Sequence, residues 1–194
     1  GFGVPLAWLL SEAVTRIAES GISAQLRAEM RATLLLATAA TVAVVAGGLV
    51  VALTARLCPG GPGALIGRLA SLGYAMPGTV VALGVLVPMG ALDRLLDAGA
   101  RAVLGQGTGL VLIGSGLALV YAYLVRFLAI SVGGCESGFA QIPRALDQAA
   151  RSLGHGPAAS LRRLHLPLLR PALIAAALLV FVDTMKELSA TLLL

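Results

Sequence analysis

Apolar residues along this chain fall in long unbroken runs rather than in the short amphipathic stripes of a soluble domain. The cleanest run covers residues 33–53, carries no charge, and is bounded by Arg31 and Arg56. Three more follow at 69–92, 109–132 and 171–194, with Pro77 and Pro88 inside the first and Arg126 near the end of the second. Each reaches the ~20 residues that cross a bilayer, so four spanning helices are predicted. Residues 1–10 read as the tail of another helix, and the mixed stretch 11–31 as a surface or interfacial connection. "CPGGPG" at 58–63 is rich in chain breakers and predicts a turn. Pro77 and Pro88 predict kinks, which membrane helices tolerate when neighbours satisfy the freed backbone groups. Small residues in "GTVVALG" and "GSGLA" predict close helix approach.

Composition agrees. Of 194 residues, 58% are hydrophobic and 12% charged, with a mean hydropathy of +0.95. Soluble domains carry about 25% charge, and disordered chains combine high charge with low hydrophobicity, so both classes are excluded. The expected fold is an all-α polytopic transmembrane helix bundle, a single transmembrane domain over 1–194. The chain starts at Gly1 and stops within an apolar run, which reads as a piece of a longer polypeptide without a signal peptide. Cys58 and Cys135 have no metal-binding spacing, and His155 and His165 lie in a basic loop, so free thiols and no metal site are expected.

Alternating spans divide the connections between two sides. Arg56, Arg68, Arg126, Arg144, Arg151, Arg162, Arg163 and Arg170 fall on one; Arg16, Arg27, Arg31, Arg94 and Arg101 fall on the other, with Asp93 and Asp97. The excess of arginine marks the first side as cytoplasmic. Both cysteines fall on that reducing side.

One cytoplasmic segment, 142–167, is far longer than a reconnection between spans requires. Ile142, Leu146, Ala149, Ala150 and Leu153 form a helical stripe, with Pro143 in the first turn and Gly154 placed as a C-terminal cap. A second short helix is predicted from Pro157 to Leu166, before Pro167 and Pro171 restart the chain into the last span. Two readings fit the pattern: an amphipathic hairpin on lipid headgroups, attracted by Arg162, Arg163 and Arg170, or a dock for a soluble partner.

The spacing in this segment resembles the EAA signature of ABC-importer permeases: Glu-Ala-Ala, three residues, Gly, nine residues, Ile, one residue, Leu-Pro. Here stand Gln148-Ala149-Ala150, Gly154, Leu164 and Leu166-Pro167, with every interval kept. Gln148 replaces the family's Glu, leaving Asp147 as the neighbouring acid, and Leu164 replaces Ile. The resemblance implies a type I importer permease whose 142–167 segment is a coupling-helix hairpin seated in a cytoplasmic ABC ATPase. It further implies a periplasmic substrate-binding protein, a second permease half, and ATP bound by the partner rather than by any cofactor site in this chain. No role for nucleic acid is implied, and the localisation is a bacterial inner membrane. "ASLGYAMPGTVVALGVLVP" (70–88) and "LLRPALIAAALLVFVDTMKELSATLLL" (168–194) resemble ferric-iron permeases, with Ser189 where those commonly have Pro. Thiamine and phosphonate permeases share the architecture.

Asp183, Lys186 and Glu187 stand in the last span, where each ionised group costs roughly 2.5–3.5 kcal/mol to insert. Spacings of three and four put them on one helix face. They form either a self-neutralising cluster, Lys186 on Asp183 and Glu187 on an outer loop, or a transport-path lining or gate. Arg126 is expected to snorkel. No GxSxG, HExxH or P-loop is present, so an enzyme is not expected. A channel or scaffold would account for the helices but not for the coupling-loop spacing.

Overall fold

A computed structural model describes residues 3–21, 23–58 and 60–187, and among them the chain is helical with no strand. It divides into two compact units, residues 1–35 and 36–194. Ser189 and the end of the last predicted span lie outside the described residues.

In the first unit, α1 (Gly3–Ser20) is one continuous helix, so the expected break after residue 10 is absent. Its face carries exposed Val4, Trp8 and Val14 and a Glu12–Arg16 pair at 2.9 Å. Gly21 at φ +64 turns the chain. The Ser23 hydroxyl then accepts the Leu26 amide at 3.1 Å, an N-cap that starts α2 (Ala24–Leu57). Residues 11–31 are therefore helix ends rather than a connection. The predicted span 33–53 is the apolar part of a 34-residue helix.

The second unit is organised around α5 (Leu117–Ala140), against which α3 (Pro62–Ala75), α4 (Gly78–Leu104) and α8 (Leu166–Lys186) all pack. Buried Ala40, Val44, Ala82, Tyr123, Phe127 and Val180 form one core; Ala52, Cys135, Phe139, Ile142 and Leu169 form another nearer the arginine-rich end. The helices are drawn together at different glycines from those "GSGLA" suggested. A Cβ at Gly138 would meet Leu169 Cδ2 at 2.7 Å and Ala172 Cβ at 2.8 Å, which fixes the α5–α8 approach. Among the described residues, four helices are long and apolar enough to cross a membrane: Ala24–Leu57, Gly78–Leu104, Leu117–Ala140 and Pro157–Lys186.

Three boundaries differ from expectation. The predicted 69–92 span is two helices, because Met76 before Pro77 is extended (φ −80, ψ 141), as steric clash with a following proline ring demands. Pro88, by contrast, sits inside α4 without ending it. The 109–132 span is shifted to Leu117–Ala140. Buried Asp93 accepts the amides of Val111, Leu112 and Ile113, and Asp97 accepts that of Gly109, so residues 109–113 are fastened to α4 instead of joining α5. Asp93, Arg94, Asp97 and Arg101 thus belong to α4, and Cys135 is a buried residue of α5 rather than part of a loop. Finally, the second short helix does not stop at Leu166. After α6 (Arg144–Ser152), the helical turn α7 (Pro157–Ser160) passes through a π segment, Leu161–His165, directly into α8. The Leu166 amide reaches back to the Leu161 carbonyl, and this wider turn receives Pro167, which has no amide to offer.

Candidate functional site

The polar residues of the second unit gather in two places. The first is the start of α6. Pro143, with φ −57, serves as its N-cap, and Leu153–His155 close it. The Gly154 amide donates to the Arg151 carbonyl (2.9 Å) and the His155 amide to that of Ala150 (2.9 Å), with Gly154 at φ +76. This is a Schellman closure, and its left-handed residue is one where a Cβ would be strained. The predicted cap at Gly154 is therefore the observed one.

No apolar residue of α6 is buried. Leu146, Gln148, Ala149 and Leu153 are exposed and Ala150 is half-buried, whereas Ile142, just ahead of α6, is buried in the core, so only the part of the apolar stripe carried by α6 faces away from the bundle. Leu164 and Leu166 are half-buried and Pro167 is exposed. What faces inward is Asp147. Its Oδ2 accepts from Arg56 Nε (2.9 Å) and pairs with Nη2 (2.8 Å), and its Oδ1 lies 2.6 Å from His165 Nε2. Arg56 also donates from Nη1 to the Phe139 carbonyl (2.7 Å) and from Nη2 to that of Ile142 (2.9 Å), at the C-terminal end of α5. The side chains of Arg56, Asp147 and His165 are 8%, 12% and 1% exposed. Phe139 covers the group, its ring edge-on to His165 at 5.4 Å and 5.2 Å beneath the guanidinium carbon.

Burial pushes the Asp147 carboxyl up; hydrogen bonds from His165 and Arg56 and the charge of Arg56 outweigh it and hold the group below 3.8. An ionised Asp147 accepts only, which assigns the His165 proton to Nε2 and leaves Nδ1 buried without a partner. Asp147, the acid beside Gln148, is thus engaged inside the chain by Arg56 and His165.

The second gathering lies at the α3–α4 break. Arg126 Nη1 donates to the Met76 carbonyl at 2.8 Å, and Arg126 Nε stands 3.0 Å from Glu187 Oε2 as a close ion pair rather than an aligned hydrogen bond. Glu187 also abuts Gly78, where a Cβ would collide with Oε1. At ~1.5 Å per residue, Met76, Arg126 and Glu187 each lie about 21–24 Å along their helices from Pro62, Ala140 and Pro171, in keeping with their direct contacts in one layer of the bundle. Asp183 pairs with Lys186 at 2.9 Å as expected. Two expectations fail here. Glu187 engages Arg126 instead of an outer loop, and Arg126 turns inward instead of snorkelling, because a counter-ion and a bare carbonyl stand within reach. Removing Arg126 from the cytoplasmic tally leaves the arginine excess of that face standing. Tyr74, Arg126, Phe127, Asp183, Lys186 and Glu187 line an open cavity of about 310 Å³.

Arg56, His165, Phe139 and Tyr74 were not anticipated. His165 stands within the "LHLP" of the coupling spacing, but nothing local ties it or Arg56 to Asp147.

The chain belongs to the family of binding-protein-dependent transport system inner membrane components, whose pattern residues 45–194 match. It is a multi-pass inner-membrane protein of the ABC-importer permease class. It is similar to the Fe(3+)-transport system permease protein FbpB 2 of Haemophilus influenzae, 36% identical over 76 residues, covering 39% of this chain and 15% of that protein. It is also similar to the putative ferric transport system permease protein FbpB 1 of the same organism, 28% identical over 122 residues, covering 63% of this chain and 17% of that protein. The chain therefore spans less than a fifth of the length of these relatives.

Proposed function

We propose that this chain is the membrane-spanning part of an ATP-driven importer for ferric iron, working by alternating access. A soluble periplasmic binding protein delivers the substrate, and cytoplasmic ABC ATPase subunits dock on 142–167. ATP is bound by those subunits, with no cofactor in this chain, and a second permease half, fused or separate, completes the pathway across the lipid. The observation that carries the reading is the orientation of α6. A helix with coupling-loop spacing turns Leu146, Gln148, Ala149 and Leu153 outward and is held from behind by a polar anchor. A small-residue face of this kind suits insertion into a groove. The names of the relatives favour ferric iron as the substrate, and the charged layer at Asp183, Lys186 and Glu187 is proposed to line or gate the path.

The test is a cysteine at position 148 in the full-length protein, co-expressed with its ATPase subunit. A specific crosslink that changes with ATP supports the importer; protection of position 148 by lipid instead would return the segment to an interfacial hairpin. Asp183→Asn with Glu187→Gln should impair uptake while ATPase docking persists, and normal uptake would reduce that layer to packing.

A further inference from the structure

We propose that Arg56 and His165 are positioning residues for energy coupling, clamping α6 to the helix ends so that its displacement is delivered into the membrane. The proposal rests on the reading of 142–167 as the ATPase dock. Its observations are independent of the residue types that define the EAA spacing, since Arg56 lies outside it and His165 fills its unspecified position between Leu164 and Leu166. Because no apolar residue of α6 is more than half-buried, apolar packing holds it to the bundle only weakly. The described side-chain tie is Asp147, and its two oxygens are taken by two different elements: Arg56 at the end of α2 and His165 in the π segment that leads into α8. Arg56 simultaneously holds the Phe139 carbonyl near the end of α5 and the Ile142 carbonyl in the turn after it. Three spans therefore meet at one carboxylate.

Two of those spans, α5 and α8, also carry the partners of the inner charged layer: Arg126 on α5, and Glu187 just past the end of α8. Leu169 and Ala172 press against Gly138 between the two layers, so the helix pair is close-packed there and transmits displacement instead of absorbing it. A shift of α6 that moved Asp147 would have to drag Arg56 and His165 or break a buried ion pair. The π segment, whose hydrogen bonding is looser than that of an α-helix, is where α8 can yield.

The test uses the full-length protein in proteoliposomes with its ATPase subunits and a binding protein loaded with ferric iron. Crosslinking from position 148 reports docking, and the increase of ATP hydrolysis on adding the loaded binding protein reports coupling. Arg56→Gln and His165→Leu should each keep the crosslink and lower that increase about tenfold, inside the roughly 5–150-fold span of coupling between sites. The double variant should lose no more than the worse single one, because both act through Asp147. His165→Gln, which retains an N–H donor, should keep most of the increase, and it decides the matter if Arg56→Gln fails to insert. An unchanged increase in Arg56→Gln and His165→Leu would overturn the proposal, as would equal failure of His165→Gln and His165→Leu. Absence of the crosslink in the otherwise unaltered chain would instead overturn the docking reading, and this inference with it.

Discussion

The two polar gatherings are built to the same plan. In each, an arginine donates to the carbonyl just ahead of a proline break, Ile142 before Pro143 or Met76 before Pro77. In each, a carboxylate stands against the first turn of the helix that follows, where backbone amides lack partners. They differ in where the carboxylate originates and in what surrounds it. Asp147 belongs to the helix it anchors and is flanked by His165 and Arg56, both of which Phe139 covers. Glu187 arrives from beyond the end of α8, and its arginine partner is 20% exposed beside an open cavity. Cavities adjoin both, so the difference lies in the arginine: Arg56 is 8% exposed and tied to two carbonyls besides its carboxylate, which makes a fixed joint, whereas Arg126 is 20% exposed and tied to one, which makes a separable one.

The largest effect is expected from removing one partner of the fixed joint. Arg56→Ala leaves a buried carboxylate and two carbonyls without their donor, and breaking a buried pair on one side costs about 3–5 kcal/mol. Thermal unfolding of the full-length protein in detergent would measure it. A loss below about 1 kcal/mol, the ordinary worth of a surface pair, would remove the contrast between the two joints.

Arg126→Ala should be milder, about 1–3 kcal/mol for unsatisfied partners, because Arg126 is the more exposed arginine and holds one carbonyl rather than two. Its cost should fall on uptake instead. Retained uptake with a stability loss as large as that of Arg56→Ala would mean that the inner layer is also a fixed joint.

What could be read from the sequence tracks the distance over which each feature is determined. The Schellman closure at Gly154 and the Asp183–Lys186 pair are set within a few residues, so spacing alone located them. The spans were found because apolar length is a local property, although their ends moved where a distant group intervened, as Asp93 and Asp97 do for residues 109–113. The partners of Asp147 lie 91 and 18 residues away, and only tertiary packing brings them in. The polarity pattern of α6 also misleads, since amphipathic logic turns the apolar stripe inward, whereas here the inward anchor is an aspartate. Pro77 and Pro88 looked alike along the chain. Pro77 ends a helix where Arg126 takes the carbonyl before the break, and Pro88 does not.

Gly78→Ala probes the separable joint by shape rather than charge. The added methyl would occupy the position of Glu187 Oε1, and since that is the end of a flexible side chain the strain should be about 1 kcal/mol, the low end for overpacking. Glu187 would be displaced from Arg126 without either charge being lost. Uptake should fall toward that of Glu187→Gln. If Gly78→Ala transports normally while Glu187→Gln does not, the carboxylate matters for its charge and not for its place.

The smallest effect is expected from pH, and its smallness is the point. The native Asp147 carboxyl titrates below 3.8, its usual value, so its contribution to stability is complete above that value and disappears as pH falls through the lowered native one. The difference in melting temperature between the unaltered chain and Asp147→Asn should therefore stay constant from about pH 8 to pH 5. It should close only in stronger acid, as Asp147 takes up its proton and the hold of Arg56 loosens. A difference that already narrows between pH 7 and 5 would show the carboxyl protonating while Arg56 and His165 still face it. The joint would then be held by neutral hydrogen bonds rather than by an ion pair, and its distinction from the Arg126–Glu187 layer would lie in burial alone.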